Sequence, residues 1–275
     1  MIFESHSPAG FIQNCIETML YFKGYTPQHS KERVVPTGHI HLLIELDDIP
    51  RHLYDDELNP VQTHQGAWIS GMHRRHINIY APPNSSMFVV RFKHFGAYPF
   101  IKQAISLFND QLVRGELLFG QEILSLRKSL LEKETPSEKF ELVEQWLNST
   151  FNPQLVASDE LERILEALSI SPAAKFANIV QSYPKTQKHL IDQFKKHAGL
   201  TPKYLHRILR FNDILNQIKQ KERLTWTDIA YQTGFSDQSH FIKEFKHFSG
   251  FSPKEFINQD FDDRDTNFFP LDKQG

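Results

Sequence analysis

The 275-residue sequence holds one cysteine, Cys15. That excludes an internal disulfide and any zinc site built on several thiolates. No apolar run approaches 18 residues, so no transmembrane helix is indicated. The opening residues, MIFESHSPAG, lack the basic region and apolar stretch of a secretory signal. No cofactor fingerprint is present either. These absences point to a cytoplasmic chain without a cofactor. What is present is ample hydrophobic material: 40% of residues, enough for a sizeable core over a length that suggests two domains.

The net charge of −2 hides an asymmetry. Residues 184–254 carry thirteen Lys/Arg against six Asp/Glu, leaving 18 basic and 27 acidic residues elsewhere. The same region repeats itself. QKHLIDQFKKHAGLTPKYL, from Gln187 to Leu205, recurs as QSHFIKEFKHFSGFSPKEF, from Gln238 to Phe256, at an offset of 51 residues. Gln187, His189, Ile191, Phe194, Lys195, Gly199, Pro202 and Lys203 fall on Gln238, His240, Ile242, Phe245, Lys246, Gly250, Pro253 and Lys254. A duplicated basic unit suits a periodic polyanion such as duplex DNA, with an acidic domain attached. A solvated helical surface would give the same charge pattern.

An α+β architecture is expected. The first ~95 residues read as short strands, including His39–Leu46, Ile77–Tyr80 and Met87–Phe92, separated by Pro, Gly, Asn and Asp. They suggest a β-rich domain, a barrel or sandwich with a cupin-like form among the options. Appended helices follow over 98–150, from apolar spacing at Phe100–Leu112, Ile123–Leu131 and Phe140–Leu147. Asn152-Pro153-Gln154 reads as a linker between a domain of residues 1–155 and an all-α domain of 156–259 with two helix-turn-helix motifs. The acidic stretch 260–275 reads as a poorly ordered tail.

In the second copy, Trp226–Gln232 has helical spacing, Thr233-Gly234-Phe235 supplies a turn, and Ser236 stands where an N-cap is wanted. At 100° per residue, Phe241 and Phe245 form the buried side of the following helix. Ser239, Lys243 and Lys246 lie opposite, flanked by Ile242 and His240, with both glutamines nearer the buried side. In the first copy Leu190 and Phe194 point inward, while Lys185, Lys188, Asp192, Lys195 and Lys196 point outward. Tyr183 and Pro184 there replace the turn residues Gly234 and Phe235, so the turn must differ. Leu205–Ile218 forms one amphipathic helix between the units. Two helices reading successive major-groove segments must stand about 34 Å apart.

Ile229–Phe256, IAYQTGFSDQSHFIKEFKHFSGFSPKEF, resembles the signature of AraC/XylS-type transcriptional regulators, and the resemblance extends over Asp159–Phe256. Arg210, Phe211 and Ile214 resemble the family's connecting helix, although a small residue is usual at Ile214. Val34-Val-Pro-Thr-Gly38 and Val90–Ala97 resemble, more weakly, a companion domain of some bacterial members. The resemblance implies a sequence-specific DNA-binding transcription regulator that is not an enzyme. Base contacts would come from Gln187, Lys188, Ile191, Asp192, Gln238, Ser239, Ile242 and Lys243. Phosphate contacts would come from Lys185, Lys195, Lys196, Ser236 and Lys246. Double-stranded DNA is the implied partner. RNA polymerase, a small-molecule effector and a second copy of the chain are further candidates, and no membrane is involved.

A second reading starts from His39-x-His41-x-x-x-Glu45, whose spacing suits a cupin-like metal-binding enzyme or sensor, with His73 or His76 as a fourth ligand. Against it, Ile40, Leu42, Ile44 and Leu46 make the alternate face wholly apolar. The histidine face should then point outward or into a wetter layer. Met72-His-Arg-Arg-His76 reads either as a solvated basic loop or as part of an anion-binding pocket.

Overall fold

The computed structural model describes residues 1–220, 237–256 and 267–272. The segment Trp226–Ser236, with its expected helix, turn and cap, lies outside the described residues. Two antiparallel sheets form an N-terminal sandwich. The first holds β1 (Ile2–His6), β2 (Ile16–Tyr25), β9 (Ser85–Phe92), β4 (His41–Glu45), β7 (Ala67–Ser70) and β10 (Leu112–Arg114), in that spatial order. The second holds β11 (Phe268–Pro270), β3 (Lys31–Val34), β8 (Ile77–Tyr80), β5 (Arg51–Tyr54) and β6 (Pro60–His64).

The central strands of the first sheet carry apolar residues on both faces, because both are covered. On β9, Phe88, Val90 and Phe92 join Leu42 and Ile44 of β4 in the main core. Helices α3 (Gln121–Glu132) and α4 (Pro136–Thr150) cover that face, with Phe88 and Phe140 rings 5.3 Å apart. A capping box of Thr135 and Glu138 starts α4. The alternate residues, Leu43, Met87 and Val89, join Trp68 and Leu112 in a second cluster facing the other sheet. Four-residue helices α1 (Tyr98–Ile101) and α2 (Glu116–Phe119) complete the appended layer.

The helix expected over Phe100–Leu112 does not form. After α1 the chain takes a left-handed turn at Lys102 (φ 60°), a 3-10 turn at Ile105–Phe108, a second left-handed residue at Asp110, and then β10. Ile101, Ile105, Phe108 and Leu112 are all buried, but by separate pieces of backbone. Helical spacing here records a shared core rather than a shared helix.

The linker ends in a short 3-10 turn, Pro153–Leu155. Helices α5 (Asp159–Ile170), α6 (Phe176–Val180), α7 (Gln187–Ala198), α8 (Pro202–Gln220), α9 (Gln238–Ser249) and α10 (Pro253–Phe256) follow. They pack on the sandwich through one continuous core. Phe95 meets Phe194 edge-to-face at 4.9 Å. Asn109 Nδ2 donates to the Gly199 carbonyl at 2.7 Å, and Asn212 Nδ2 of α8 donates to the Pro36 carbonyl at 3.0 Å.

The tail reading needs correction over residues 267–272. Phe268, Phe269 and Pro270 pair with Val34, Arg33 and Glu32 as the edge strand β11. Proline is tolerated at such an edge. Phe269 is fully buried, its ring 4.9 Å from that of Phe256. The Asp272 carboxylate accepts from the backbone N–H groups of Ser30 and Lys31, both at 2.9 Å. The acidic composition of the segment concealed an aromatic pair whose burial holds it in place. Phe269→Ala is expected to destabilise the full chain by about 3–5 kcal/mol, measured as a lower midpoint in urea.

Candidate nucleic-acid interface and internal cavity

The two repeat copies fold alike. Thr186 Oγ1 accepts from the His189 N–H at 3.2 Å, and Asp237 Oδ1 accepts from the His240 N–H at 2.8 Å. The second cap is thus Asp237 rather than Ser236, at the position matching Thr186 under the 51-residue offset. Both helices end on left-handed glycines, Gly199 (φ 81°) and Gly250 (φ 74°), where a Cβ would be strained. Leu190, Phe194, His197 and Ala198 are buried in α7, as are Phe241, Phe245, Phe248 and Ser249 at the matching positions of α9.

The opposite faces are open. Gln187, Lys188, Asp192 and Lys195 are exposed on α7, with Lys185 just before it, and Ile191 is half-buried. Gln238, Ser239, Ile242, Lys243 and Lys246 are exposed on α9. Both glutamines occupy the first helical position, where the wheel overstates their approach to the core. Lys196 departs from expectation. Its Nζ lies 4.9 Å over the Tyr98 ring, and it lines a crevice with Val156 and His197 at the seam with the N-terminal unit. Ser236 lies outside the described residues.

The helix α8 sits behind the second unit. The Phe211 ring is 5.5 Å from Phe245 and 5.2 Å from Phe248. Glu244, buried on α9, accepts from Arg207 Nε at 3.1 Å and Arg210 Nη2 at 2.8 Å. This carboxylate was missed in the sequence. Its signal was a single acid within a basic helix, facing arginines three residues apart on α8. The first unit replaces the turn glycine with Tyr183, whose buried ring stacks on His189 and whose hydroxyl bonds His189 Nδ1 at 2.8 Å.

A second feature lies inside the sandwich: a cavity of about 310 Å³ between the sheets. Leu20, Leu43 and Val89 wall it from the first sheet, and Leu53, Ile79 and Phe268 from the second. His41, Ser70, His73 and Arg91 gather at its rim of polar groups. His41 faces Ser70 across β7 and Arg91 across β9. Arg91 Nε donates to His41 Nε2 at 3.3 Å, and Ser70 Oγ bonds His73 Nε2 at 2.9 Å. Burial, with the Arg91 and His73 charges adding to it, pushes His41 down to about 3. Burial pushes His73 down to about 4 against the pull of Asp110.

The histidine face of β4 therefore points into the cavity between the two sheets, which the strand pattern alone could not reveal. Its three expected metal ligands engage separate partners. His39 precedes the strand, stacks on His94 at 4.3 Å and bonds the Phe92 carbonyl at 2.9 Å. Glu45, fully buried, accepts from Trp68 Nε1 at 3.0 Å and the Gly66 N–H at 2.7 Å. Among the described residues, no group of three or more His, Cys, Asp or Glu is placed to hold a metal ion. The Met72–His76 run divides: His73 lines the cavity, Arg74 pairs with Asp110, and His76 bonds Asp56 at 2.9 Å.

A sandwich with appended helices, followed by paired recognition-type helices on a shared connecting helix, defines a double helix-turn-helix protein. Residues 182–259 match the family described as "Helix-turn-helix domain", and residues 4–114 match "Domain of unknown function (DUF6597)". The HTH-type transcriptional activator RhaS of Escherichia coli (strain SE11) is 31% identical over 143 residues, 51% of this chain. The chain spans 44% of that relative's length. Among solved structures, an apo ToxT variant from Vibrio cholerae is 15% identical, covering 87% of this chain and 96% of its own, with TM-score 0.45. An unsaturated fatty acid bound wild-type ToxT from the same species is 13% identical, covering 87% and 94%, also with TM-score 0.45.

The buried histidines make stability depend on pH. His73 is depressed in the folded chain, so the unfolded chain binds the proton first as pH falls through 6.5. Stability should fall between pH 6.5 and about 4, with His73 contributing up to roughly 3 kcal/mol of the loss. Urea midpoints taken across that window should fall less steeply for His73→Gln than for the natural chain.

Proposed function

We propose that this protein is a sequence-specific DNA-binding transcription regulator rather than an enzyme, whose N-terminal sandwich senses a small molecule. The observation that carries the DNA-binding reading is the matched pair α7 and α9. Each has a side-chain N-cap, a left-handed glycine end, an apolar back locked in the core and a polar, basic front left open. A helix of that form can enter the major groove with its back supported. Base contacts fall to Gln187, Lys188, Ile191 and Asp192 on the first unit and to Gln238, Ser239, Ile242 and Lys243 on the second. Lys185, Lys195 and Lys246 serve phosphates, while Lys196, held over Tyr98, is left out.

Glu244 sharpens the second unit. The one acid of α9 that would repel phosphate is buried and neutralised by Arg207 and Arg210. The first unit keeps Asp192 on its front, where a carboxylate can accept from cytosine N4 but opposes the backbone. The second unit is thus the stronger reader in this proposal.

Sensing is supported by what the cavity wall touches. The Val34–His39 segment lines the cavity, and Asn212 of α8 holds it at the Pro36 carbonyl. A Cβ on Gly38 would stand 3.5 Å from Ile208 of α8. Phe268, also on the wall, belongs to β11, whose neighbour Asn267 bonds Asn212 at 2.8 Å. A change in the wall therefore reaches the helix that joins the two readers. Escherichia coli RhaS is by name a transcriptional activator, which supports the regulator reading.

Two substitutions separate base from phosphate contacts in a gel-shift titration on duplexes selected from a random pool. Lys243→Ala should weaken binding by roughly 1–3 kcal/mol and relax discrimination at one base pair. Lys246→Ala should weaken all sequences alike and lower the salt slope by about one. Unchanged binding in both variants would remove α9 from the groove.

A further inference from the structure

Four polar groups of the internal cavity sit together. His41, Ser70 and Arg91 form one cross-strand row over β4, β7 and β9, and His73 closes on Ser70 at 2.9 Å. Glu32, Arg51, His52 and Ser85 line the cavity elsewhere, but most of its surface is hydrocarbon and aromatic, from residues such as Leu20, Phe22, Leu43, Trp68, Met87 and Val89. A site of this form orients a ligand by one polar end and holds the rest by contact area.

The charge of that end follows from the groups around it. Arg51 carries its own partner, Asp47 at 2.8 Å, and Glu32 pairs with His29 at 2.6 Å. Arg91 engages His41 through Nε and is itself half-exposed, so solvent screens its charge from a buried ligand. Both row histidines are held unprotonated by burial, so they offer neutral donors and acceptors. A neutral hydroxyl or carbonyl oxygen is satisfied by such groups, whereas an ionised carboxylate entering an apolar cavity needs full charge pairing. Size follows from volume. A cavity of about 150 Å³ holds benzene, so one of about 310 Å³ holds on the order of a dozen heavy atoms.

We propose that the cavity binds an uncharged, largely apolar molecule of that size bearing one hydrogen-bonding oxygen, seated at His41, Ser70 and His73. This deepens the sensing reading and rests on it only for its consequence at DNA. The ligand's hydrocarbon lies between the sheets, against Leu43 and Val89 on one side and Leu53 and Ile79 on the other. Its oxygen bonds the imidazoles.

The test uses the full chain and three matched probes, naphthalene, 2-naphthol and 2-naphthoate, in calorimetric titrations at neutral pH. 2-Naphthol should bind at least tenfold tighter than naphthalene and at least tenfold tighter than 2-naphthoate. His41→Phe and His73→Phe should each reduce the advantage of 2-naphthol over naphthalene to less than threefold. Naphthalene binding, retained in those variants, reports that the cavity is still formed. Leu43→Trp, which fills the cavity, should abolish binding of both neutral probes while cooperative thermal unfolding persists. Equal or tighter binding of 2-naphthoate would overturn the uncharged assignment. No binding of any probe to the natural chain, or undiminished binding to Leu43→Trp, would overturn the site. If 2-naphthol binds as stated but leaves the affinity for selected duplexes unchanged, the ligand class stands and the sensing reading fails.

Discussion

A single sheet with apolar residues on both faces dictates much of this molecule. Each central strand of the first sheet presents side chains that avoid water to both sides, so the sheet needs two covers. Helices α3 and α4 supply one, closing on Phe88 and Leu42. The second sheet supplies the other, but Leu43, Met87 and Val89 do not fill the space up to Leu53 and Ile79. Close packing on the first face and a cavity on the second are thus consequences of one constraint. The domain is rigid where it meets its helices and hollow where it faces its partner sheet.

The same core continues into the helical region, which ties the two units without a large separate interface. Phe95 packs on Phe194 from the back of α7, and β11 returns from beyond α10 to the second sheet. Helices α7 and α9 are held by their buried sides, and those sides connect through α8 to the wall of the cavity. An apolar back and a solvated front on α7 and α9 give each helix two separate tasks. Glu244 shows the division most sharply, since burial behind α9 turns an acid that would repel DNA into a tie between helices.

How much was legible in the sequence depended on whether local spacing matched the final environment. The offset of 51 residues announced two equivalent helices, and caps, glycines and buried positions agree under it. Period-two alternation in His39–Leu46 identified β4 and its core face. It failed on the other face, because alternation says which residues share a side but not what lies beyond that side. Helical spacing over Phe100–Leu112 misled for a related reason: residues on three short pieces of backbone reached the same core. Acidic composition hid β11, where Phe268 and Phe269 outweigh their neighbours by burial.

The sequence by itself determined the repeat, the apolar backs of α7 and α9, and their basic fronts. These are properties of local order, written within one helical turn or one strand. Tertiary structure alone decided that His41 and His73 both come to Ser70 at the edge of a cavity, that Lys196 turns to Tyr98, and that Glu244 is neutralised by α8. It also decided that residues 267–272 close on the first domain. Each of those depends on which surfaces are pressed together and dried, and burial of that kind joins residues far apart in the chain.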